Sequence, residues 1–200
     1  KGNVARLHRK MATVLWEELG DIEGAKEHQE AALKILESEP ENVELAILYE
    51  DMGHMHYRIG DMTNALSLAE KALELAKKLN EYEVISSSYT SMGTVFGYTG
   101  EKAKAIECLE RALKIALDNG YFERALRAYN KLGVDLSGEE SARSFECYEK
   151  GYELAKRVGD IGMMAFIGAN LGSFYVNMGN VNKALQLIEE SVALDRKAGN

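Results

Sequence analysis

Two hundred residues with 46% hydrophobic content, 28% charged content and a single Pro describe a chain long enough to bury a core. Its formal charge of −8 argues against a general nucleic-acid or anionic-membrane binder, since both rely on basic surface to neutralise phosphate or headgroup charge. Cys108 and Cys147 are too few for a disulfide framework and fit a reducing, cytoplasmic compartment, and no apolar run approaches the length of a membrane span.

Taken in chain order, the residues repeat. Leu19-Gly20-Asp21, Ile59-Gly60-Asp61 and Thr99-Gly100-Glu101 lie forty apart, and Met178-Gly179-Asn180 closes the series. Glu107-Cys108-Leu109-Glu110-Arg111 aligns with Glu146-Cys147-Tyr148-Glu149-Lys150 at thirty-nine, so one residue is lost near Asp135–Glu139. The chain reads as one array of five units: 1 to 40, 41 to 80, 81 to 120, 121 to 159 and 160 to 200. In each, apolar residues at three- and four-residue spacing predict a helix on either side of a central turn. In the second unit Leu45, Tyr49, Met52 and His56 mark one face of the first helix, and Ala65, Ala69, Ala72 and Leu73 mark the second. Asn80, Gly120, Gly159 and Gly199 fall where a left-handed C-cap is expected, with Pro40 in the first unit. A first helix of about eighteen residues spans roughly 27 Å. One such hairpin cannot cover its own apolar face, whereas five stacked hairpins share a continuous core. The expected fold class is therefore all-α, an α-solenoid of five helix-turn-helix repeats.

Register also weighs the candidate chemistry. His54 and His56 are separated by about 200° around a helix and cannot jointly hold one ion. His56 shares a column with Trp16, Phe96, Leu136 and Tyr175, which reads as packing. Cys108 and Cys147 are column-mates on second helices and read as half-buried packing residues. Gly97–Lys102 fails the spacing of a phosphate loop, and the carboxylates read as solvated surface. Gly53, Gly93, Gly133 and Gly172 sit within predicted helices, where close approach of the paired helices would account for them. No catalytic residue, metal site or cofactor is expected.

Tyr49-x-x-Met52-Gly53-x-x-His56 with Ala65-x-x-x-Ala69 resembles the tetratricopeptide repeat pattern. So do Tyr89-x-x-Met92-Gly93-x-x-Phe96 with Ala105-x-x-x-Leu109, Tyr129-x-x-Leu132-Gly133, and Leu171-Gly172-x-x-Tyr175 with Ala184-x-x-x-Ile188. The first unit departs most, with Ala12-Thr13 in place of an apolar-Gly pair. Forty-residue units are similar to those of kinesin light chain, the Leu-Gly-Asn spindle-orientation adaptors and the maltose-regulon activator class. The resemblance implies a right-handed superhelix whose first helices line a concave groove for a partner.

Subtracting the core columns leaves a second face on each first helix. It carries Lys10, Val14, Glu17 and Glu18, then Glu50, His54, Tyr57 and Arg58, then Thr90, Thr94 and Tyr98. It continues with Arg127, Asn130 and Val134, then Phe166, Asn170, Ser173, Val176 and Asn177. Aromatics offer contact area, Asn side chains can bond an extended backbone, and Arg58 and Arg127 can pair with carboxylates. The expectation is a non-enzymatic module that binds a protein or peptide in its groove, without nucleic-acid or membrane partners. The alternative is a sensory or regulatory domain that binds an effector or gates an attached output domain. The start at Lys1 and the lack of a polar capping helix after Gly199 suggest a piece of a longer protein, or one that self-associates end to end.

Overall fold

The computed structural model describes residues 2–138 and 140–198, which form ten α-helices. In chain order these are α1 (Gly2–Glu17), α2 (Ile22–Leu36), α3 (Val43–Arg58), α4 (Met62–Leu79), α5 (Tyr82–Tyr98), α6 (Lys102–Asp118), α7 (Phe122–Leu136), α8 (Ser141–Val158), α9 (Ile161–Asn177) and α10 (Val181–Ala198). No strand occurs among the described residues. The odd-numbered first helices run 15 to 17 residues, slightly shorter than the spacing suggested. The shortening reflects turns that begin one or two residues before the glycine of each unit: Gly20, Gly60, Gly100 and Gly179 all adopt positive φ, and the helices end at Glu17, Arg58, Tyr98 and Asn177.

The residue after each such Gly starts the next helix. Asp21, Asp61 and Asn180 accept the backbone N–H three residues on, at 2.9, 3.1 and 3.3 Å. The second helices close as the sequence predicts at three positions. Asn80, the one non-glycine residue with positive φ among those described, ends α4 at φ 58°, and Glu81 N–H then bonds back to Ala76 C=O at 2.9 Å. Gly120 and Gly159 take the same left-handed conformation, whereas α2 ends at Glu37 in a right-handed one, ahead of Pro40. Gly199 and Glu139 lie outside the described residues.

The chain divides into two compact units, residues 1–115 and 116–200. In the first, α1 packs on α2, α3 on α4 and α4 on α5, and the first helices also meet in series, α3 touching both α1 and α5. In the second, α7 packs on α8, α8 on α9 and α9 on α10. Small residues carry the helix contacts: Ala5, Ala12, Ala25, Ala46, Ala72, Ala112, Ala125 and Ala155 are all essentially inaccessible. The in-helix glycines have the expected cause. A Cβ on Gly93 would stand 2.7 Å from Leu109 Cγ, and one on Gly133 would stand 2.7 Å from the Tyr148 ring. In both places the facing second helix occupies the space a side chain would need.

Two helices carry exposed apolar stripes at helical spacing: Val4, Leu7, Met11 and Val14 on α1, and Val181, Leu185, Ile188 and Val192 on α10.

Candidate interaction surface of the first helices

In the first unit, α1 and α3 are joined by charge. Arg9 donates from Nη1 to Asp51 at 2.7 Å and from Nη2 and Nε to Glu44 at 2.9 and 3.1 Å. Arg6 Nε reaches the other Glu44 oxygen at 2.7 Å. The carboxylates were read from sequence as solvated, and Glu44 corrects that reading: its side chain is only 9% exposed. Burial pushes the Glu44 carboxyl upward, but Arg6 and Arg9 outweigh it and hold the group below the usual carboxylate range. Asp51 shows the opposite balance, since burial raises it, Glu17 adds to the rise, and the Arg9 bond only partly offsets both. Arg9 stands in the register position of Tyr49, Tyr89 and Tyr129, so a charge in an aromatic column was the available sequence signal.

A second contact recurs by register. Ser91 on α5 donates its hydroxyl to Glu50 on α3, and in the other unit Asn170 Nδ2 on α9 donates to Asn130 Oδ1 on α7 at 3.3 Å. Glu50 matches Asn130 in the repeat, and Ser91 matches Asn170. Each pair therefore links one first helix to the next at the same height. Sequence reasoning named Glu50, Asn130 and Asn170 but missed that they bond within the protein. Asn130 is buried, and Glu50 and Asn170 are half-buried.

The C-terminal ends of α1, α3 and α5 present aromatic rings. His54 packs edge-on against Trp16 with ring centroids 5.3 Å apart, and its Nδ1 lies 4.0 Å from Glu17 Oε1. Tyr57 meets Tyr98 edge-on at 6.1 Å, and Tyr98 is 69% exposed. Glu17, His54 and Arg58 are exposed around them, with Lys10 exposed further back on α1. Thr90 and Thr94 are half-buried, and their hydroxyls donate to the helix's own carbonyls at 3.1 and 2.8 Å. Their acceptor lone pairs are what a ligand would meet.

In the second unit, Phe166 is 57% exposed, with Val134 and Val176 also exposed. Ser173 donates to Ala169 C=O at 3.2 Å, and Asn177 is exposed at the end of α9. Arg127 is exposed and bonds Glu123 one turn earlier at 3.1 Å.

Residues read as packing have local roles. His56 is half-buried, and its Nδ1 lies 3.0 Å from Asp61 Oδ2. Asn64 and then His56 hold Asp61 below its ordinary range, so the histidine ties α3 to the cap of α4. Cys108 and Cys147 are half-buried and outside any disulfide, and burial pushes the Cys108 thiol upward, away from nucleophilic character. Among the described residues no three His, Cys, Asp or Glu side chains gather in a metal-binding group.

The tetratricopeptide repeat family profile matches residues 3–78 and 44–118, and a second profile of the same family matches 169–197. The chain belongs to the tetratricopeptide repeat family. Its fold is the family's helical-repeat solenoid. BtubC from P. vanneervenii is similar in structure, with a TM-score of 0.82 at 19% identity over 100% of this chain and 82% of that one. A putative kinesin light chain with nearly identical TPR-like repeats, from Podosopora anserina, gives 0.72 at 16% identity over 99% and 98%. A Rap protein complexed with Competence and Sporulation Factor gives 0.81 at 15% identity over 95% of this chain and 53% of that one. No curated protein sequence matches the chain. No described helix is long and apolar enough to cross a membrane.

Proposed function

We propose that this tetratricopeptide array is a non-enzymatic module that captures a peptide or protein segment on the exposed face of its first helices. The observation that carries the reading is the ring cluster at the ends of α1, α3 and α5. Tyr98 stands largely in solvent against Tyr57, His54 packs against Trp16, and each of these pairs joins neighbouring repeats. Rigid aromatics with charged neighbours supply contact area at small ordering cost, which is what a preformed binding surface needs. The family is in general an interaction scaffold, and the similar Rap protein was solved with a bound factor.

That Rap protein also supports a second reading. This chain spans 53% of its length, so a similar array there forms part of a larger protein. The array would then bind an effector and gate an attached output domain.

The test is selection from a displayed random-peptide library, followed by affinity measurement with the selected peptides. Tyr57→Ala, Arg58→Ala and Tyr98→Ala combined should weaken binding by at least about tenfold while helix content stays unchanged. Affinity equal to that of the parent protein would overturn the assignment of this face.

A further inference from the structure

The first helix pair contains a contact that the recruiting surface does not use. His8 on α1 and His28 on α2 bring their Nδ1 atoms to 2.7 Å, with ring centroids 4.9 Å apart, and both residues are half-buried. The repeat provides an internal control for this pair. At the position of His8 the later units carry Leu48, Ser88, Ala128 and Ile167, and at the position of His28 they carry Leu68, Cys108, Cys147 and Leu187. Packing in this fold thus asks for apolar or small side chains at both positions. The first unit alone replaces both, and the replacements face each other. Two of the chain's four histidines lie in this one contact.

Two ring nitrogens at this separation share a single hydrogen, because each neutral imidazole has one N–H and one lone pair. One Nδ1–H donates to the other Nδ1, so the rings adopt opposite tautomers. A metal ion can take the place of that hydrogen. The bridging proton moves to Nε2 of the same ring, and both Nδ1 lone pairs then point at the ion.

We propose that His8 and His28 form a binding site for a divalent first-row transition ion that prefers imidazole nitrogen, of the Zn2+ class. Two bonds of about 2.0–2.1 Å at a tetrahedral angle place their nitrogens roughly 3.3 Å apart. The rings need only separate by about half an ångström from the hydrogen-bonded arrangement, within reach of small χ rotations. One helical turn away, α1 offers Val4, Ala5, Met11 and Ala12, and α2 offers Gly24, Ala25, Ala31 and Ala32. None is a carboxylate. The nearby charged groups are engaged or outward: Arg9 is directed to Glu44 and Asp51, Lys26 bonds Glu23 at 2.9 Å, and Glu27 is exposed. Water would complete the coordination, leaving open positions. Such an ion would staple α1 to α2, the unit whose sequence departs most from the repeat pattern.

Zn2+ titrated into the intact chain at pH 7.5, read by calorimetry, should show one equivalent bound and a rise in Tm. His8→Leu and His28→Leu place in the first unit the residues the second carries, Leu48 and Leu68, so the fold tolerates them. Each should lower the affinity by at least about tenfold. Side-chain nitrogen NMR of the unmutated protein gives an independent reading: both Nδ1 signals should move to metal-bound shifts on Zn2+ addition. Absence of binding, leucine variants that bind as tightly as the parent chain, or Nδ1 signals unmoved by saturating Zn2+ would overturn the proposal.

Discussion

The two compact units solve one problem with different chemistry. Both must hold successive first helices at a fixed height. The unit of residues 1–115 does so with ions, through Arg6 and Arg9 on Glu44 and Asp51. The unit of residues 116–200 uses a neutral amide pair, Asn170 on Asn130. At the one position the two units share, Ser91 on Glu50 in the first and Asn170 on Asn130 in the second, the scaffold sets the place of the contact and leaves its polarity open. Charged contacts depend on solvent conditions, whereas the amide pair does not titrate.

The largest effect that would break the comparison is expected at Glu44. Glu44→Ala removes the shared acceptor of two arginines, one of which, Arg9, is only 15% exposed. Arg9 keeps its bond to Asp51 but loses both of its bonds to Glu44, and the first unit should lose about 3 kcal/mol, read by urea denaturation with hydrogen exchange resolving the two units. Close approach offers a test in the other unit. Gly133→Ala sets a Cβ against the Tyr148 ring, which is buried enough to push its phenol up to about 12. The ring cannot retreat cheaply, and a loss of about 2 kcal/mol is expected. The same substitution should also lower the phenol toward its ordinary value as the packing loosens, visible in a spectroscopic titration of the tyrosine.

The amide pair should matter less. Asn130→Ala removes one neutral hydrogen bond and leaves half-buried Asn170 in reach of water, for a loss of about 1 kcal/mol. Its effect should be the same at pH 3.5 and 7. That of Glu44→Gln should not. The carboxyl of Glu44 is depressed in the folded state, so its contribution is complete above the ordinary glutamate range near about pH 4.3. It is lost as pH falls through the lower folded value. The stability difference between parent and Glu44→Gln should therefore shrink on acidification. Smallest of all, half-molar salt should weaken the contact that exposed Arg6 makes with Glu44 by a few tenths of a kcal/mol, with no matching change in the second unit.

How far sequence went depends on the kind of contact. Turns were legible because a Gly with positive φ followed by a capping Asp leaves a local mark, as at Gly60 and Asp61. The glycines inside helices were legible because only close approach offsets their cost, and Gly93 and Gly133 show it. Glu50, Asn130 and Asn170 were found as residues of the polar face but not as partners. Their bonds join residues about one repeat apart and one register position out of step, an offset set by how neighbouring helices settle in three dimensions. Arg9 was missed for a related reason. It occupies an aromatic column, and a cation there is consistent only once Glu44 and Asp51 are placed opposite it. His8 and His28 carried no signal until the helix pair was closed.

The rings at the ends of α1, α3 and α5, of which His54 and Tyr98 are exposed, are the centre of the functional account. The most direct measurement is amide and side-chain protection of the parent chain with a library-selected peptide bound, by hydrogen exchange combined with tyrosine and histidine footprinting. Protection concentrated on Tyr57, Tyr98 and His54, with the second helices α2, α4 and α6 unchanged, is the predicted result. Protection confined to those second helices, with the rings as reactive as in the unbound protein, would contradict it.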